Sequence, residues 1–186
     1  MSRPLLMIVV GSLLLAGCSG PQAVLSEFEV DRLSAASANH FVATLSGAEE
    51  VPPADTRARG VATFRLSSDG TELAYRLIVA NIENVTMAHI HCGSPDVNGP
   101  VIVWLYPSGP PPQLIQGRTQ GVLSQGVITE ADVVAQPDSE ACPGGVATLA
   151  DVIKKMQDGE AYSNVHTLQF PPGEIRGNIH AGGPHP

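Results

Sequence analysis

His89-Ile90-His91 is the sharpest chemical signal in this 186-residue chain. Strand side chains alternate between faces, so a His-x-His pair in a strand sets both imidazoles on one face, about 7 Å apart. Met87 shares that face, while Ala88 and Ile90 point the other way. Two such imidazoles can share a metal ion when a neighbouring strand supplies a third ligand. His166, in Asn164-Val165-His166-Thr167, is the candidate third, with Tyr162 and Asn164 on its own face. His180 is a weaker fourth, on the face of Glu174 and Arg176. Imidazole ligands suit copper or zinc better than magnesium or calcium. The alternative is a hydrogen-bonded polar cluster, since His-x-His by itself fits any polar strand face.

Glu174 and Arg176, in Gly173-Glu174-Ile175-Arg176-Gly177, form a second polar pair. Sharing a strand face, they could bond to each other or to a loop, and they read as a structural tie between strand ends. Glu49 and Glu50 read as surface carboxylates beside a turn, since adjacent strand residues face opposite ways and cannot act as a pair. No His-Glu-x-x-His, nucleophile elbow, phosphate loop or dinucleotide motif is visible. No catalytic residue is assigned, and the reading leans away from an enzyme.

These side chains need strands to hold them. Gly60 to Leu66 and Leu73 to Val79 alternate apolar and polar residues around Ser67-Ser68-Asp69-Gly70, which reads as a β-hairpin. Phe41 to Leu45, Val85 to His91 and Pro100 to Leu105 are further short strands. Leu114 to Ile128 holds one or two, and Ala161 to Leu168 and Glu174 to His180 are the last two. Pro52 and Pro53 end the first strand, because proline cannot sit in a central strand. Thr148 is a good N-cap for Leu149, Val152, Ile153 and Met156 at helical spacing, with Gly159 closing the helix. Many short strands and one short helix predict an all-β antiparallel sandwich or barrel.

The first residues carry a different signal. Arg3, the apolar stretch Leu5 to Leu15 and then Leu15-Ala16-Gly17-Cys18 have the pattern of a lipoprotein signal peptide over residues 1–17. Lipid on Cys18 would tether the chain to a membrane, with several acyl chains giving stable anchoring. Ser19 after the cysteine favours the outer membrane of the cell envelope, facing the periplasm or the exterior. Residues 18–38, rich in Ser, Ala and Gly, read as a flexible tether, residues 39–181 as the β-domain and residues 182–186 as a disordered tail.

Removal of Arg3 with the leader takes the net charge from −8 to −9, which argues against nucleic acid as a partner. Cys92 and Cys142 remain. In an oxidising compartment they read as a disulfide, and otherwise as two metal ligands.

In combination and order, several segments resemble the CHRD (chordin-type) domain family. They are Leu45-Ser46-Gly47 with Glu50-Val51-Pro52-Pro53, Gly60-Val61-Ala62, Ala88-His89-Ile90-His91-Cys92-Gly93 and Gly99-Pro100-Val101. Tyr162-Ser163-Asn164-Val165-His166-Thr167 and Pro172-Gly173-Glu174-Ile175-Arg176-Gly177 follow. The resemblance implies an immunoglobulin-like β-sandwich of Greek-key type with His89, His91 and His166 at a common site. It is not a pattern that includes His180. A looser similarity links the chain to copper-zinc superoxide dismutase, which needs more metal ligands than are visible here. The expectation is a lipid-anchored, non-catalytic module binding an unidentified envelope or extracellular protein or ligand. The alternative is a copper- or zinc-binding protein with metal handling or dismutase-like chemistry.

Overall fold

The computed structural model describes residues 39–182. The leader 1–17, Cys18, the tether 18–38 and tail residues 183–186 lie outside the described residues. The strands are β1 (His40–Ser46), β2 (Arg59–Leu66), β3 (Leu73–Cys92), β4 (Val101–Tyr106), β5 (Ile115–Ile128), β6 (Ala161–Thr167), β7 (Ile175–Asn178) and β8 (His180–Ala181). Among the described residues one α-helix, α1 (Leu149–Gln157), precedes β6.

The expected hairpin forms β2 and the start of β3, with registers running from Leu66↔Leu73 to Arg59↔Ala80. Its turn is fixed by Asp69, whose Oδ1 accepts from Ser67 Oγ at 2.6 Å and from Thr71 Oγ1 at 2.8 Å. Alternation is the reason for the pairing: Leu73, Leu77 and Val79 are buried, while Ala74, Arg76 and Ile78 are exposed.

The expected separate strand Val85–His91 is instead the second half of β3, a single strand of 20 residues. Asn81 and Asn84 break the sequence pattern but not the strand. Both adopt positive φ, 56° and 55°, which asparagine tolerates better than other non-glycine residues. Register shifts against β5 surround them, so the chain bends there as at a bulge and continues.

This length lets β3 serve two neighbourhoods. β2 and then β6 pair along one edge, β5 and then β4 along the other. β6 continues to β7, and β7 to β1 through Ser46↔Arg176, while β1 pairs β2. The antiparallel sheet therefore closes on itself in a barrel-like ring. The all-β antiparallel expectation with one short helix holds, and the closure comes from β3 belonging to both parts of one continuous sheet. Gly177 is needed at the seam, since a Cβ there would lie 2.3 Å from the Thr44 carbonyl oxygen.

The core is aliphatic: Phe41, Leu45, Phe64, Leu77, Ile82, Ile90, Ile102, Val165 and Ile175 are buried together. Helix α1 buries Leu149, Val152, Ile153 and Met156. Thr148 caps it by accepting from Asp151 N–H at 3.2 Å, and the Asp151 carboxylate accepts from Thr148 N–H at 2.9 Å. Cys92, the last residue of β3, is disulfide-bonded to Cys142, which decides between the two readings of that pair. No helix among the described residues is long and apolar enough to cross a membrane.

Candidate metal centre

Burial changes along β3. From Ala88 to Cys92 every residue is buried, and so is every residue of β6. Here the strands are covered on both faces. One face carries Ala88, Ile90, Val165 and Ile175 into the aliphatic core. The other is polar. Register sets Trp104, His89, Asn164 and Arg176 in one cross-strand row through β4, β3, β6 and β7. His91 stands opposite Tyr162, and Met87 opposite His166.

The structure brings His89, His91 and His166 together. One ring nitrogen from each lies within 4.8 Å of the others. His89 Nδ1 is 3.1 Å from His166 Nε2. The three are 2 %, 8 % and 6 % exposed, so this is an interior cluster, not an exposed strand face.

Backbone carbonyls fix two of the tautomers. His91 Nδ1 lies 2.8 Å from Gly99 O and His166 Nδ1 2.9 Å from Pro171 O. A carbonyl oxygen only accepts, so both rings carry their proton on Nδ1 and turn an unprotonated Nε2 inward. His166 Nε2 can then only accept, which makes His89 Nδ1 the donor to it. Nε2 of His89 and of His91 is buried with no hydrogen-bond partner. Orphaned buried acceptors of this kind carry a desolvation cost.

Electrostatics keeps the cluster uncharged. Burial, with the charges of His166 and His91 adding to it, pushes His89 from 6.5 down to about 3. Burial likewise takes His91 down to about 4, against the opposing bond to Gly99, and lowers His166. Neutral imidazoles with free lone pairs are the form that binds a metal, so protons do not compete near neutral pH. The carbonyls at Gly99 and Pro171 stand where an outer hydrogen-bond shell would orient these histidines toward a metal. Bound nitrogens sit at 2.0–2.1 Å and so at most about 4.2 Å apart, a small contraction from the present spacing. The residues therefore fit a copper- or zinc-type ion.

His180 is not part of this group. Ile179 is buried where the chain passes from its β6 partner to β1, and His180 emerges exposed on β8 opposite Val42. Its Nδ1 lies 3.3 Å from Asn178 O.

Glu174 and Arg176 do not bond to each other. Glu174 precedes β7 and its carboxylate accepts from Thr56 Oγ1 and Thr167 Oγ1, both at 2.7 Å. Arg176, 1 % exposed, reaches the β3–β4 loop: its guanidinium donates to Ser94 O and Val97 O at 2.9 Å and to Asn98 Oδ1 at 3.2 Å. Each is a structural tie, but to a different partner. The strand alternation that puts them on one side does not specify where two long side chains end.

Glu50, read as a surface carboxylate, is buried. It sits against Gly173, whose φ of 142° leaves the backbone open to the carboxyl group. Burial pushes its pKa from 4.5 up to about 7, with Arg176 partly opposing. Sequence reasoning also passed over Trp104, whose ring meets His89 edge-on with centroids 4.3 Å apart. It lies in an alternating apolar strand and gives no signal of its own until the β3–β4 register is known.

A family model of the CHRD domain matches residues 41–179. No curated protein and no solved structure matches the chain. The match takes in every strand from β1 to β7, the helix and all three clustered histidines. A CHRD domain is, in general terms, an extracytoplasmic type of binding module. With three quarters of its length inside one family model, this chain belongs to the CHRD domain family.

Proposed function

We propose that this protein is a non-catalytic extracytoplasmic binding module, held at the cell envelope by lipid on Cys18, whose ligand is a copper- or zinc-type ion at His89, His91 and His166. The observation that carries the reading is the pair of backbone carbonyls, Gly99 O and Pro171 O, that leave Nε2 of His91 and His166 unprotonated and turned inward. A polar cluster that existed only to satisfy itself would not leave Nε2 of His89 and His91 orphaned. Met87 adds a soft thioether on the same sheet face, opposite His166, and thioethers favour copper. The depth of the three rings supports holding an ion over turning over a substrate, for which a metal centre needs an open coordination position.

The test uses the untagged full chain and its sole tryptophan, Trp104, as the optical reporter beside His89. Titration with copper and with zinc should saturate at one ion per chain, copper quenching the fluorescence. His91→Ala should bind at least about tenfold more weakly, the scale on which even a metal ligand's supporting partner acts. Equal, weak uptake by both proteins ends the metal reading. The envelope part is tested separately: Cys18→Ala should move the protein from the membrane fraction to the soluble one.

A further inference from the structure

Arg176 stands in an unusual setting for a buried cation. The ion pairs among the described residues are Arg118–Glu83, Lys154–Asp158 and Lys155–Glu160, and none involves Arg176. Its partners are two carbonyls, one amide oxygen and a ring: its guanidinium carbon is 3.4 Å from the centroid of Tyr162. Tyr162 in turn stacks on His91, with rings 7° from parallel and centroids 4.9 Å apart. The stack thus runs guanidinium, phenol, imidazole.

A second route joins the same residues. Ser94, Val97 and Asn98, which accept from Arg176, belong to the loop that ends in Gly99. Gly99 O accepts from His91 Nδ1–H, and Gly99 N–H donates to Tyr162 Oη at 3.1 Å. Gly99 has no slack, because a Cβ there would lie 1.5 Å from Cys92 O. Holding the loop therefore holds the His91 ring.

We propose that Arg176 is the positioning and specificity residue of the histidine site, orienting His91 through the Gly99 loop and Tyr162 while its buried charge biases the site toward singly charged copper over doubly charged copper or zinc. The proposal deepens the metal-binding reading and rests on it. Three neutral imidazoles add no negative charge to the site, and among the described residues no carboxylate forms an ion pair with Arg176, so a bound ion faces a guanidinium that is only partly compensated. Of the carboxyls whose charge reaches Arg176, Glu50 is held partly protonated by its burial, and Asp96 and Glu49 are exposed and screened by solvent. Each unit of ionic charge on the order of 10 Å from Arg176 is disfavoured about tenfold at an effective dielectric constant of about 20. A doubly charged ion suffers this once more than a singly charged one.

Affinities for Cu(I), measured without oxygen against a chromogenic chelator, and for Cu(II) and Zn(II) should be compared in the untagged full chain, Arg176→Lys and Arg176→Gln. Arg176→Lys keeps the charge but not the fork; it should weaken all three ions alike and leave their ratio. Arg176→Gln should shift the ratio toward the divalent ions by about tenfold. A ratio that Arg176→Gln leaves unmoved shows a merely structural role and overturns the proposal. If that variant does not fold, the wild type decides, since tighter holding of Cu(II) than of Cu(I) also overturns it. Failure of the wild type to take up any of the three ions defeats the metal reading itself.

Discussion

Acidification sets the histidines against Glu50, and the outcome can be worked through. His89 has a folded pKa of about 3 and His91 of about 4, against 6.5 when unfolded. A depressed histidine binds more protons unfolded, so its stabilisation is present above 6.5 and is lost as pH falls toward the folded value. Between pH 7 and pH 5 the linkage relation gives a loss of about 2 kcal/mol for each ring. Their mutual repulsion trims the sum of about 4 kcal/mol, while His166, which burial also lowers, adds to the loss. Glu50 runs the other way. Its pKa rises from 4.5 to about 7 on folding, so its contribution is full at low pH and fades as pH rises through that window. Over the same pH 7 to pH 5 interval it gains about 2 kcal/mol and hides about what one ring loses. Glu50→Gln removes the mask. Urea unfolding, followed by circular dichroism at pH 7, 6 and 5, should show the variant losing about 2 kcal/mol more than wild type between the end points. The carboxylates with lowered pKa, Asp69 and Asp151, titrate below this window. Parallel pH dependence in the two proteins refutes the assignment of buried neutral Glu50. A variant whose stability does not fall at all refutes the buried neutral histidines.

Two further expectations test the supports of the site. Thr148→Ala deletes the N-cap of α1 and should cost about 1 kcal/mol in urea unfolding with no change in metal affinity, the helix being remote from the histidines in its bonding; no measurable loss would show that the Asp151 carboxylate alone caps the helix. Reduction of Cys92–Cys142, which spans 50 residues, should lower stability by about 3–4 kcal/mol on the loop-entropy account, read as a fall in melting temperature; an unchanged melt would mean the unfolded chain is already held compact.

Much of the local architecture was readable along the chain because period-2 alternation and caps are local signals. The β2–β3 hairpin, the helix with Thr148 and Gly159 at its ends, and the shared face of His89 and His91 all follow from residues close in sequence. His166 could be named but not placed, since its position opposite Met87 depends on the β3–β6 pairing. What escaped was tertiary. Asn81 and Asn84 look like a break between strands because asparagine at positive φ is usual in turns, and only the pairing of Ile82 and Glu83 with β5 carries the strand through them. Glu50 looks like surface because its burial comes from Gly173 and the covering loops, far along the chain. Arg176 was recognised as a tie, but its target, the Ser94–Asn98 loop, has no sequence relation to it.

The long strand β3 has a consequence for how the molecule can come apart. Its first half belongs to the hairpin with β2 and its second half carries His89 and His91 between β4 and β6. A single run of backbone thus crosses what would otherwise be two independently melting units. Opening either one requires tearing the shared strand from its partners on that side, and the ring closure through β1 and β7 transmits the loss to the other. Slow amide exchange should therefore extend without a step across the bend at Asn81–Asn84, and the hairpin and the histidine region should exchange as one cooperative unit.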